Sequence, residues 1–258
     1  MGQSSVMSRH PWITPCIAAV VVALSLQQAA AIVIRHDKTD AAALKLGEPF
    51  AAVGRVMPDG GCTLIAPTWA ITAAHVAASI EAGGEVVFGG RAYAVTRAVL
   101  HPEGSAPRGV PPEVDLALLE LTTPVQGVTP LPPHRGRDEL GAMLILVGHG
   151  DFGTPRGPLM KTDGRRRAAT NIVVDAGPRR LFMKFDAPPD GTDLEGVGGP
   201  GDSGGPALLA VGGLWQVAGV SSASMDGKPG QYGVTDVYTR VSSYVDWIDA
   251  VTGRQGPR

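Results

Sequence analysis

Cysteine is nearly absent from this chain: among 258 residues there are two, Cys16 and Cys62. Neither a thiolate metal cage nor a disulfide framework can be built from that, and no H-E-x-x-H zinc motif compensates. Charge of one sign is also lacking. A net charge of −2 argues against nucleic acid or an anionic membrane as the main partner. There is no apolar run long enough to span a bilayer: the longest candidate, Ile17–Leu26, is too short to cross. What is present instead is 35 glycines and 22 prolines on a background that is 44% hydrophobic. That balance favours a globular, turn-rich chain of short strands over long helices.

The apolar run has a different reading. Arg9 ahead of it and Ala29–Ala31 behind it complete the three parts of a secretory signal, with cleavage expected after Ala31. Residues 1–31 are therefore assigned to a signal peptide, and the protein is expected to be secreted or periplasmic, with no membrane attachment after cleavage. Cys16 would leave with the signal, so the exported domain must stand on its core without an internal disulfide. Cys62 reads as a small buried hydrophobe.

Past the signal, short β-type segments are predicted at Phe50–Val56, Cys62–Ala66, Glu85–Phe88, Ala92–Leu100 and Asp115–Leu121. A proline-rich stretch around Pro124, Pro130, Pro132 and Pro133 breaks the pattern. A second set follows at Leu144–Val147, Ile172–Asp175, Leu181–Phe185, Ala207–Val211, Leu214–Ser221 and Gly233–Arg240. One helix is expected, because Val241, Tyr244, Val245, Ile248 and Val251 recur at helical spacing before Gly253. The expected organisation is an all-β fold: a first barrel over 32–123, a linker over 124–142, a second barrel over 143–240, a terminal helix over 241–253 and a tail over 254–258. No internal repeat is visible in the sequence.

Three segments carry chemistry. TAAH ends at His75, DLALLEL begins at Asp115, and GDSGGP runs from Gly201 to Pro206 around Ser203. A serine hydroxyl is a weak nucleophile that needs a base, a group to orient the base, and donors for the oxyanion. G-x-S-x-G also describes the nucleophile elbow of α/β-hydrolases, but there the histidine follows the serine. Here His10, His36, His75, His101, His134 and His149 all precede Ser203, which removes that reading.

WAITAAH, His101-Pro102 ahead of DLALLEL, GDSGGP, and VYTRV followed by YVDWI together resemble the chymotrypsin/trypsin family of serine proteases, from Ile32 to the final helix. The resemblance implies two antiparallel Greek-key barrels with the site between them. It implies a serine-histidine-aspartate triad, with His75 as general base, Asp115 as its orienting carboxylate and Ser203 as nucleophile. The backbone N–H groups of Gly201 and Ser203 would form the oxyanion hole. It also implies that a freed Ile32 amine pairs with Asp202, so that signal removal would itself activate the enzyme. Ile34 and Arg35 depart from the two glycines usual after the Ile-Val pair.

For specificity, ungapped counting puts Val197 at the pocket base where trypsin-like members carry aspartate. Ser222, Ala223 and Ser224 fall on the pocket wall, which points to small or medium apolar side chains. Asp236 argues the other way if it reaches the pocket floor, although a surface-turn carboxylate is the plainer reading, and Glu195 is a weaker candidate of the same kind. The resemblance implies protein or peptide substrates; a monomer is expected, with no cofactor and no metal. The alternative function is a protease-like binding protein that has kept the fold without the activity.

Overall fold

In a computed structural model, residues 1–2, 32–80, 84–104 and 114–253 are described. The expected signal peptide from residue 3 onward and the tail over 254–258 lie outside them.

The chain enters as a two-residue strand β1 (Val33–Ile34), followed by helix α1 (Asp40–Gly47). Six strands then follow: β2 (Val53–Val56), β3 (Gly61–Ala66), β4 (Trp69–Thr72), β5 (Glu85–Phe88), β6 (Arg91–Leu100) and β7 (Ala117–Leu121), with the single-turn helix α2 (Ala74–Ala77) after β4. They close into a barrel in the order β2-β3-β4-β7-β6-β5. The second half comprises β8 (Met143–Gly148), β9 (Arg167–Ala176), β10 (Arg180–Lys184), the short β11 (Gly196–Val197), β12 (Pro206–Val211), β13 (Leu214–Met225) and β14 (Thr235–Arg240). Without β11 these close in the order β8-β9-β10-β14-β13-β12, which is the same winding as the first barrel. All pairings within both barrels are antiparallel. The all-β expectation of two barrels holds. The repeated topology leaves no trace in the sequence because strand pairing constrains alternation and turns, not residue identity.

The strand expected at Cys62–Ala66 is β3, the chain folds back at Pro67-Thr68 into β4, which is not among the expected strands, and the stretch predicted at Phe50–Val56 is a strand only from Val53. Helix α1 is an addition to the expected elements. Thr39 caps it by accepting a hydrogen bond from Ala42 N at 3.3 Å, and Asp40 sits in its first turn. Its anchor comes from elsewhere: the buried Arg167 guanidinium pairs with both Asp40 and Asp163 and lies 3.4 Å from the Phe152 ring centre. Eight residues with a weak apolar stripe would not hold a helix unaided. The predicted terminal helix is divided: a 3-10 turn at Val241–Ser243, then α3 (Val245–Thr252), ending on Gly253 in the left-handed region at φ 68°. The largest core cluster draws residues from both barrels and from Ile248 of α3. Cys62 lies fully buried in it, where burial pushes its thiol far above the ordinary value, consistent with an unreactive packing residue.

Candidate active site

The register of β4 on β7 positions the first pair of residues. Thr72 faces Ala117 and Ile71 faces Leu118; carrying that antiparallel register two residues further sets Asp115 abreast of Ala74, next to His75. The side chains meet there. Asp115 accepts hydrogen bonds from His75 N at 3.0 Å on one oxygen and from His75 Nδ1 at 2.7 Å on the other. A carboxylate only accepts, so the proton sits on Nδ1, which leaves Nε2 free to act as a base. Burial would raise the Asp115 carboxyl, but the hydrogen bonds from His75 and Ser222 outweigh it and hold the group below its ordinary value.

The sequence places Ser222 only on the pocket wall. Its hydroxyl in fact donates to Asp115 at 2.7 Å, while Thr239 donates to the Asp115 carbonyl at 2.9 Å. A bulge between Ser221 and Ala223 interrupts the pairing of β13 with β14. Such a bulge re-aims one side chain out of the alternation, and no one-residue motif announces it.

Ser203 sits on the turn between β11 and β12. Gly201 (φ 98°) and Gly204 (φ 82°) flank it in conformations that L side chains rarely adopt. A Cβ on Gly204 would collide with Thr72 Oγ1 and the Gly61 carbonyl, so the turn lies directly against the end of β4 that leads to His75. Gly61 N also donates to the Ser203 carbonyl at 2.7 Å.

Asp202, beside Ser203, is fully buried. Its carboxylate accepts from Gly199 N at 3.1 Å and Gly150 N at 3.3 Å, with the His149 backbone as a further donor. It has no cationic partner among the described residues, and burial holds it well above its ordinary value. A Cβ on Gly148 would occupy the space of this carboxylate. Ile32 and Val33 are also buried, and Val33 pairs with Val197.

A cavity of about 180 Å³ opens beside Ser203, lined by Gly198–Pro200, Ser221–Ser224, Pro229 and Asp236. Two of the specificity expectations change here. Val197 does not line this cavity: its side chain packs with Val33, Phe185 and Val234, because the pairing with β1 turns it into a separate apolar cluster. Asp236 is not a surface-turn residue. It lies on β14, opposite Ser224, at 2% exposure. Its oxygens accept from Gly198 N and from Ser224 Oγ, both at 2.7 Å. Burial raises its carboxyl to about 7 against those two hydrogen bonds, and no cation faces it among the described residues. Glu195 is buried too, but away from the cavity, where its carboxylate accepts from Thr192 N and Oγ1.

Among the described residues one group has the make-up of a cation site: ligand atoms of His134, Asp138 and Glu139 lie within 4.8 Å of one another. Those atoms already have partners. His134 bonds Asp138 and Gln216, and both Glu139 oxygens are engaged by Arg240, with Ser242 on one of them.

The model of the family described as Trypsin matches residues 42–248. Over 198 residues the chain is 30% identical to an uncharacterized peptidase of Corynebacterium glutamicum, covering 74% of this chain and 63% of that protein. It is 27% identical to a tryptase of Mus musculus over 223 residues, covering 73% and 76% of the two chains. A 49-residue stretch is 47% identical to a CLIP domain-containing serine protease of Anopheles gambiae, covering 19% of this chain and 13% of that one. The chain thus spans less than two thirds of the mosquito and corynebacterial relatives. Among solved structures, neuropsin, described as a serine protease expressed in the limbic system of mouse brain, superposes with a TM-score of 0.63 at 18% identity, covering 80% of this chain and 96% of that one.

Proposed function

The chain belongs to the trypsin family of serine proteases, and from that premise we propose that it is an exported endopeptidase working through Ser203, His75 and Asp115. The observation that carries the reading is the double hydrogen bond from His75 to Asp115, backed by Ser222, at the foot of the Ser203 turn. In the proposed cycle, His75 Nε2 takes the Ser203 proton as Oγ attacks the substrate carbonyl. The N–H groups of Gly201 and Ser203 hold the oxyanion, each contributing about 3 kcal/mol. The intermediate collapses as His75 passes its proton to the leaving amine, and water then hydrolyses the acyl-enzyme by the same route.

Two finer readings belong to this proposal. Export would free the Ile32 amine, which then supplies the cation that the buried Asp202 carboxylate otherwise lacks; buried Ile32 and Val33 and the β1–β11 pairing favour that insertion. Asp236 makes the side-chain cavity a site for a lysine or arginine before the scissile bond, because a buried carboxylate without a partner gains most from a cation. Labelling by a fluorophosphonate tests the core claim. The mature protein should be modified at Ser203 and the Ser203→Ala variant should not; a folded mature protein that resists labelling and hydrolyses no peptide would instead be the binding-protein alternative.

A further inference from the structure

Two cavities border the Gly201–Ser203 turn, one touching Ser203 and the other Gly201. One is the Asp236 cavity. The other is a small cleft of about 40 Å³ bounded by Met57–Gly60, Gly150, Thr162 and Gly201. That cleft shares Arg55 and His149 with a groove of about 590 Å³ between helix α1, the rim of the first barrel and the segment leading into β9.

The groove is cationic. Lys45, Arg55, Arg165 and Arg166 line it, with Glu48 as the one acid among its lining residues. The three consecutive arginines 165–167 behave differently from one another. Arg167 is buried between the carboxylates of Asp40 and Asp163. Arg166 has no such partner: its Nε and Nη1 atoms are buried and unbonded among the described residues. His149 presents a second orphan, its buried Nδ1, and burial together with the Arg166 and Arg55 charges pushes this imidazole down to about 3, so it adds no charge. Arg55 and Arg166, one from each half of the molecule, both line the groove and are only partly buried. An anion entering it meets guanidinium groups that keep their charge at any working pH and offer charge-assisted hydrogen bonds.

We propose that this groove is an anion-binding subsite that receives an acidic side chain of the substrate a few residues beyond the scissile bond. The inference rests on the reading of Ser203 as nucleophile. With the side chain before the scissile bond in the Asp236 cavity, the cleft at Met57–Gly60 and Gly201 offers the chain beyond the cut a continuous way to the groove, because cleft and groove share Arg55 and His149. The substrate class is then a peptide with a basic residue before the cut and an acidic one following it.

The test has two arms. In the first, mature enzyme, normalised by fluorophosphonate titration, cleaves peptide pairs that carry glutamate or glutamine at the second, third or fourth position after the scissile bond. At one of those positions the glutamate peptide should have a kcat/KM at least about tenfold higher, the equivalent of about 1.4 kcal/mol. That preference should shrink toward unity in Arg166→Gln and in Arg55→Gln, two independent variants in case one folds poorly, and weaken with added salt. Equal cleavage of both peptides at all three positions overturns the subsite and leaves the protease reading standing.

The second arm does not depend on catalysis. A fluorescein-labelled acidic peptide is bound to Ser203→Ala and to Ser203→Ala/Arg166→Gln and followed by anisotropy. Weakening by about tenfold or more in the double variant supports the groove even if no peptide is ever hydrolysed. Unchanged binding overturns it. So does displacement by a sulfated oligosaccharide combined with indifferent peptide cleavage, which would make the groove a polysaccharide site.

Discussion

The burial of Asp236 yields a prediction with an unusual signature, a substrate preference that depends on pH. Removing solvent from this carboxyl raises it from 3.8 to about 7, and the hydrogen bonds from Ser224 and Gly198 only partly offset the effect. The groups that face it are those of the buried cluster it belongs to, Asp202 and Tyr238, which add no positive charge. Its ionised fraction then climbs from about one tenth at pH 6 to about nine tenths at pH 8. A lysine or arginine in the cavity needs the ionised form, whereas an apolar side chain does not. The ratio of kcat/KM for a basic over an apolar peptide should therefore rise about tenfold between pH 6 and pH 8. Taking a ratio cancels every titration common to both substrates, that of the triad included. Asp236→Asn keeps the local bonding, since Ser224 can turn its hydroxyl to accept. It removes the charge, at a cost to the basic substrate of about 2–5 kcal/mol by analogy with truncated buried charge pairs, or about 30-fold or more. A ratio that is flat from pH 6 to pH 8, or a preference for basic peptides that survives in Asp236→Asn, refutes the reasoning.

Asp115→Asn leaves His75 with the wrong tautomer and should lower kcat by about 10⁴, measured by steady-state hydrolysis with folding checked by circular dichroism. Asp202→Asn removes the partner proposed for the Ile32 amine and should lower kcat by about 10²-fold with a smaller change in KM, and N-terminal sequencing of the exported protein should begin at Ile32. Arg167→Met breaks a buried charge held by two half-exposed carboxylates and should cost about 2 kcal/mol, read as a fall in the urea midpoint. The same network gives an acid limit. Asp163 is held down at about 2 by Arg167, so the stability it contributes is present above its ordinary value of 3.8 and is lost as pH falls through about 2. Urea titrations at pH 5 and pH 2 should differ, and the difference should shrink in Asp163→Asn.

The site is legible in the sequence to the extent that its chemistry is local. TAAH, DLALLEL and GDSGGP each keep their residue type within a few positions of a strand end, and antiparallel register brings them together. What cannot be read there depends on pairing across long stretches of chain. Ser222 reaches Asp115 only through a bulge, and Asp236 faces the cavity only because β14 lies opposite Ser224. Counting back from Ser203 places Val197 on the pocket base, but the count carries no sign that β1 pairs with it and draws it away. Helix α1 is hidden because its anchor, Arg167, lies more than a hundred residues downstream. The cationic groove is less legible still: Arg55, Arg166 and His149 belong to three separate segments, and no motif links them.

Three buried carboxylates stand around the Ser203 turn, and the direction in which each is displaced separates them. Asp115 is held below its ordinary value because its acceptors are filled by His75 and Ser222, groups the fold supplies before any substrate arrives. Asp202 and Asp236 are held above theirs, since each has backbone or hydroxyl donors but no cation among the described residues. A raised carboxyl in the interior costs stability as pH climbs from its ordinary value of 3.8 towards the raised one, because over that range the unfolded chain has given up a proton that the folded state still holds. Retaining two such groups is costly unless something else neutralises them. On the proposed reading the neutralising cations come at different stages: for Asp202 once per molecule, from the chain's own amine after export, and for Asp236 once per turnover, from the substrate. The acid needed for every proton transfer is satisfied in advance, and the two acids left unsatisfied are the ones whose partners carry information, about processing in one case and about sequence in the other.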